Sequence, residues 1–132
     1  LRAFHRFGAD GSVVDNIGSG SGVLAFVNVE TGVLTGEGVI NCENREKKFV
    51  ENIIHPNSKI VLKGLNIPCY MSVCDKVLEI ANSHSYLKYV GWDIAIPDDS
   101  FKIIETNSLS SLNVVQQREG FLVDPILKTY FE

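Results

Sequence analysis

The sequence predicts an α+β fold, with a largely antiparallel sheet packed against helices. Three observations predict it. Short apolar runs rich in β-branched residues, separated by glycine-containing turns, fill the first half. Near Ser72 the apolar period lengthens to that of a helix. Close to the C-terminus Asp124-Pro125 pairs an N-cap residue with a proline at the first helical position.

Taken in order, Leu1 to Phe7 reads as a strand that enters the turn Gly8-Ala9-Asp10-Gly11. Ser12 to Ile17 is expected to pair back across that turn. Gly18-Ser19-Gly20-Ser21-Gly22 reads as a flexible loop, and Gly22 to Val29 as an apolar strand. Glu30-Thr31-Gly32 is a turn, and Val33 to Asn41 the return strand, so the first part is a β-meander. Cys42 to Lys63 is less regular. His55-Pro56-Asn57-Ser58 reads as a turn, because the residue before proline avoids the helical region and Asn and Ser favour turns. Ile67-Pro68 is a second breaker.

A helix is expected from about Ser72 to Leu87, with Ser72 as N-cap and Asp75 in its first turn. Val73, Val77, Ile80 and Ala81 form its apolar face, opposite Asp75, Lys76 and Glu79. Two apolar runs then flank a polar turn: Val90 to Ile96 and Phe101 to Ile104. Trp92 in the first run is expected in the core. Ser108 to Gln117 reads as a loop with a short helix, before the final helix at Asp124-Pro125. Residues 1–132 are expected to form a single domain.

Composition narrows the function. The 132 residues carry a net charge of −4, which gives no reason to expect a nucleic-acid partner. The cysteines, Cys42, Cys69 and Cys74, are odd in number and lack CxxC spacing. They read as small buried apolar side chains in a reducing compartment. No apolar run is long enough to span a bilayer and no signal peptide is seen, so the expected location is cytoplasmic. The chain starts with Leu inside a strand, which reads as a piece of a longer protein.

The run Gly91 to Asn107 holds the strongest chemistry. Asp93 lies at the start of one strand, and Glu105 and Asn107 at the end of the next. A hairpin brings its outer ends together, so three oxygen-bearing side chains converge. Hard oxygen donors of this kind suit Mg²⁺, which prefers carboxylates, waters and substrate phosphates. The acids lie within apolar runs, where an unpaired carboxylate is costly. Alternation puts Glu105 and Asn107 on one face.

Other candidates are weaker. The loop Gly18 to Gly22 can cradle a phosphate through backbone N–H groups, or serve only as a connection; it is neither a P-loop nor a GxGxxG unit. Arg2 and Arg6 share a strand face with Phe4 between them, and suit phosphate or carboxylate oxygens or plain solvent exposure. Asp15-Asn16 either contacts a substrate or caps a turn. His55-Pro56 reads as a turn ahead of a catalytic base.

At the hairpin the sequence resembles the C-terminal part of an ATP-grasp domain, in which an Asp is followed about a dozen residues later by Glu-x-Asn. Here these are Asp93, Glu105 and Asn107. It is most similar to the sugar-transfer associated branch, which is related to α-L-glutamate ligases. Arg6-Phe7-Gly8, Val14-Asp15-Asn16, Gly20 to Gly22, Thr31-Gly32, His55-Pro56, Ile67-Pro68, Gly91-Trp92-Asp93-Ile94-Ala95 and Gln116 to Gly120 carry that similarity. Ser21 splits the glycine pair, and Asn57-Ser58-Lys59 replaces a more typical acidic-Thr-Gly turn.

The resemblance implies the C-terminal lobe of an ATP-grasp fold, with the upstream, adenine-contacting lobe outside this chain. It implies ATP and two Mg²⁺ ions as cofactors, with Mn²⁺ as an alternative ion. Glu105 would be shared by the two ions, with Asp93 and Asn107 each completing one. Arg6, then Arg2, would neutralise a transferring phosphoryl group. Asp15, Asn16, Gly20 and Gly22 would line the ATP or acceptor side. The implied activity is a ligase: a small-molecule carboxylate becomes an acylphosphate that an amine or similar nucleophile attacks. A role in polysaccharide or glycan-related biosynthesis follows only from the branch. The rival expectation is a non-catalytic nucleotide- or ligand-binding module on the same scaffold.

Overall fold

All five residues of β2 (Val23–Val27) are buried, which makes this strand the centre of the first part of the molecule. The structure is a computed structural model, and it describes residues 2–9, 11, 22–41, 47–108 and 110–130. β1 (Ala3–Phe7) pairs antiparallel with one edge of β2, and β3 (Leu34–Asn41) with the other. β4 (Lys47–Val50) adds to β3, giving a sheet of order β1-β2-β3-β4. A strand flanked on both edges and covered on both faces carries a continuous apolar run, as Val-Leu-Ala-Phe-Val does.

The turn between β2 and β3 is built by Asn28. Its Oδ1 accepts from the amides of Glu30 (3.0 Å) and Thr31 (3.2 Å), while its carbonyl accepts from Gly32 N (2.8 Å). This is the Asx-type turn that Asn favours. Leu24, Val39, Ile53 and Leu62 are the most completely buried large side chains of this unit. Ile53 and Leu62 come from the stretch that follows β4, which is held by an isolated bridge between Ile54 and Val61.

The chain divides into two compact units, Leu1–Asn66 and Ile67–Glu132. The second contains α1 (Tyr70–Ser83), β5 (Gly91–Ala95), β6 (Lys102–Asn107) and α2 (Pro125–Lys128). β5 and β6 form a two-stranded antiparallel sheet. Val73 and Phe121 are buried here, and Phe121 meets Tyr89 edge-on at 6.5 Å between ring centroids. Antiparallel sheets with few helices make this an α+β fold.

Several expectations are corrected. The irregular stretch after Cys42 contains β4, whose polar Lys47 and Lys48 become strand only because β3 offers a partner edge. Exposed lysines suit an edge strand, since they discourage further pairing. α1 begins at Tyr70, so Ser72 lies inside the helix instead of capping it. The preceding residue, Cys69, is in the left-handed region (φ 55°) and its side chain makes no capping bond. The helix stops at Ser83, short of Leu87; Ser83 Oγ and His84 Nδ1 both lie within hydrogen-bond distance of the Ile80 carbonyl near that end. The expected apolar face holds, with Val73 buried and Val77, Ile80 and Ala81 half-buried. Leu112 to Gln117 forms turns with no helix. Gln116 N donates to Leu112 O, but the Gln116 side chain turns away to accept from Phe121 N. Trp92 is half-buried, since a two-stranded sheet offers it limited cover. The expected strand Ser12 to Ile17 and the loop Gly18 to Ser21 lie outside the described residues.

Candidate metal and nucleotide site

Asp93 pairs directly with Glu105, Trp92 with Thr106 and Gly91 with Asn107. Facing residues of an antiparallel ladder point to the same side, and side chains alternate along each strand. Asp93, Glu105 and Asn107 therefore share one face of the hairpin, with Trp92 and Thr106 on the other. Asp93 and Asn107 are half-buried and Glu105 is exposed, so the face is open to an ion arriving from water.

The register shifts immediately after this pair. Asp93 faces Glu105 but Ile94 faces Ile103, which leaves Ile104 as an extra residue on β6. A bulge of this kind bends and twists its strand and re-aims neighbouring side chains. It places the irregularity next to Glu105 and leaves Ile104 65% exposed. The far end of the hairpin is closed by Pro97 to Ser100, where Ser100 N and Oγ both donate to the Pro97 carbonyl at 3.0 Å.

Two carboxylates directly opposite each other on a ladder repel. A divalent cation between them removes that repulsion, and the donor set of two carboxylates and an amide oxygen has the hardness Mg²⁺ requires. Among the described residues no group of three or more His, Cys, Asp or Glu side chains is arranged to hold a metal. The hairpin set has two such residues, completed by Asn107.

The arginines belong to the first unit. Phe4 and Arg6 pair with Phe26 and Leu24, and Arg2 immediately precedes the strand on the same alternation. Both arginines are half-buried. His5 and Phe7 occupy the opposite face with ring centroids 4.5 Å apart.

Gly22 is buried at φ +92°, and a Cβ there would lie 2.4 Å from the Phe7 carbonyl oxygen. Its lack of a side chain thus has a packing cause, whatever ligand it meets. Asp15, Asn16 and Gly20 lie outside the described residues.

His55 does more than shape a turn. Its Nδ1 accepts from Ser58 N at 3.2 Å, so Nε2 carries the proton and donates to the Gly8 carbonyl at 3.0 Å. Its ring also meets Phe7 edge-on at 6.0 Å. The imidazole clips the 55–58 turn to the end of β1. The turn is legible in the sequence, but a bond spanning 47 residues leaves no local trace.

The family model for sugar-transfer associated ATP-grasp proteins matches residues 1–128. The chain belongs to the sugar-transfer associated ATP-grasp family. No curated protein and no solved structure matches it. Membership of the ATP-grasp family supports an ATP-dependent, ligase-like function in general terms. The match spans Arg2 and β1 with Arg6, as well as the acidic hairpin. No helix among the described residues is long and apolar enough to cross a membrane.

Proposed function

We propose that this ATP-grasp chain holds the metal end of an ATP- and Mg²⁺-dependent ligase that activates a small-molecule carboxylate for attack by an amine or similar nucleophile. The observation that carries the reading is the direct pairing of Asp93 with Glu105, with Asn107 on the same face. Glu105 would be shared by two Mg²⁺ ions, with Asp93 and Asn107 each completing one. Bound Mg²⁺ would supply charge neutralisation at the phosphate oxygens, which phosphoryl transfer needs more than a protein nucleophile.

Arg6 and Arg2 take the role of anion partners. A guanidinium presents a fork of donors that matches phosphate or carboxylate oxygens in two parallel bonds. Their half-buried setting beside Phe4 limits competition from water. The pairing of Phe7 with Val23 keeps the Arg6-Phe7-Gly8 end of β1 in place, and Gly22 leaves room for the Phe7 carbonyl beside it. The His55 bond to Gly8 acts on the same segment. The two units together are read as the C-terminal portion of one ATP-grasp domain, working on a glycan-related substrate.

The test is Glu105→Ala in the complete protein, with ADP release followed as Mg-ATP and candidate carboxylates are supplied. Loss of ADP release with an unchanged circular-dichroism spectrum is the expected result. Undiminished release by that variant overturns the assignment.

A further inference from the structure

Gly91 faces Asn107 and stands two residues before Asp93, so the direction of its missing side chain is the face shared by Asp93, Glu105 and Asn107. That space is filled. A Cβ built on Gly91 would lie 2.3 Å from Ser110 Oγ and 2.5 Å from Ser110 Cβ, with the Asn107 carbonyl oxygen next at 3.8 Å. Gly91 is not among the positive-φ glycines. Its requirement is one of room, not of backbone conformation. Any side chain at this position would evict Ser110.

The consequence is chemical. Ser110 is half-buried and puts a hydroxyl on the acidic face, beside the strand end that carries Asn107. Ionised Asp93 and Glu105 only accept hydrogen bonds. Phosphate oxygens brought to this face by a metal ion are also acceptors, so they need a donor there. A hydroxyl supplies one without adding charge. We propose that Ser110 is a further ligand-binding residue of the site, donating a hydrogen bond to a phosphate oxygen of the Mg²⁺-bound nucleotide, and that Gly91 is the positioning residue that admits it. The inference rests on the metal reading above and adds to it a group that contacts the nucleotide.

The test is calorimetric binding of a non-hydrolysable ATP analogue, with and without Mg²⁺, to the complete protein and its variants. Ser110→Ala keeps the Cβ contact with Gly91 and removes only the hydroxyl. It is expected to weaken Mg²⁺-dependent binding roughly tenfold or more, the usual weight of a hydrogen bond to a charged group, with an unchanged melting temperature. Gly91→Ala should weaken binding and lower the melting temperature together. The double variant Gly91→Ala/Ser110→Gly relieves the collision, so it should recover the melting temperature but not the affinity. Wild-type affinity in Ser110→Ala, or full recovery of affinity in the double variant, overturns the proposal. Glu105→Gln serves as the separating control. If it retains Mg²⁺-dependent binding, the metal reading fails. If it loses that dependence while Ser110→Ala is unaffected, only the role given to Ser110 fails.

Discussion

Asp93 and Glu105 stand directly opposite each other across the β5–β6 ladder, on the face that Asn107 shares. Like charges in that relationship destabilise a ladder by a few tenths of a kcal/mol to about 1 kcal/mol. Glu105→Gln is therefore expected to leave the metal-free protein as stable or slightly more stable. Glu105→Gln should abolish the rise in melting temperature on adding Mg²⁺, and Asp93→Asn should reduce it. Because the ion that Asp93 would complete also uses Glu105, the double variant should lose little more of that response than Glu105→Gln alone. Thermal melts with and without saturating Mg²⁺ check this; a full Mg²⁺ response in either single variant contradicts it.

Gly22→Ala should destabilise the first unit by about 1–3 kcal/mol. Two causes combine: a positive φ that L-residues adopt at a cost, and a Cβ that would lie 2.4 Å from the Phe7 carbonyl oxygen. Urea denaturation gives the value. A change within a few tenths of a kcal/mol would show that the β1–β2 pairing yields easily around this residue.

Asp124 caps α2, with Oδ1 accepting from Ile126 N at 2.9 Å and Leu127 N at 3.1 Å. Asp124→Ala leaves two amides without that acceptor and should cost about 1 kcal/mol locally. The helix has only four residues, so global denaturation is a blunt measure. Faster amide exchange at Ile126 and Leu127, with exchange in β2 unchanged, is the expected outcome.

Tyr70 is expected to mark the alkaline limit of the fold. Burial, then a hydrogen bond and charge interaction with Cys74, raises its phenol above the ordinary value of 10.0. The folded state thus keeps a proton that the unfolded chain releases from about pH 10. The stability this contributes is complete below pH 10 and is lost as pH rises towards the folded value. Tyr70→Phe should flatten that part of the stability–pH curve. Superimposable curves for the two proteins would show that Tyr70 does not contribute.

The elements that were legible in the sequence are those decided by neighbours in the chain. Asn28 to Gly32 forms its turn through bonds spanning no more than five residues. Asp124 reaches only to Ile126 and Leu127. The acidic hairpin is legible in its turn and two apolar runs, but the turn register alone would set Asp93 opposite Ile104; the bulge at Ile104 is what brings it opposite Glu105. α1 was legible in its apolar face but not in its ends. Pro68 and Cys69 govern its start, and competing polar groups near Ile80 its finish.

By itself, the sequence determined an α+β chain with a family-specific acidic hairpin, because period, turn chemistry and the spacing of Asp93, Glu105 and Asn107 are local properties. Only the tertiary structure decided which edge Lys47–Val50 would pair with, that His55 would hold Gly8, and that Ser110 would fill the space Gly91 leaves open. Each of these depends on two segments meeting, and a polar strand, an imidazole or a serine carries no mark of its distant partner. What such a residue contributes is set by the surface that folding brings to it.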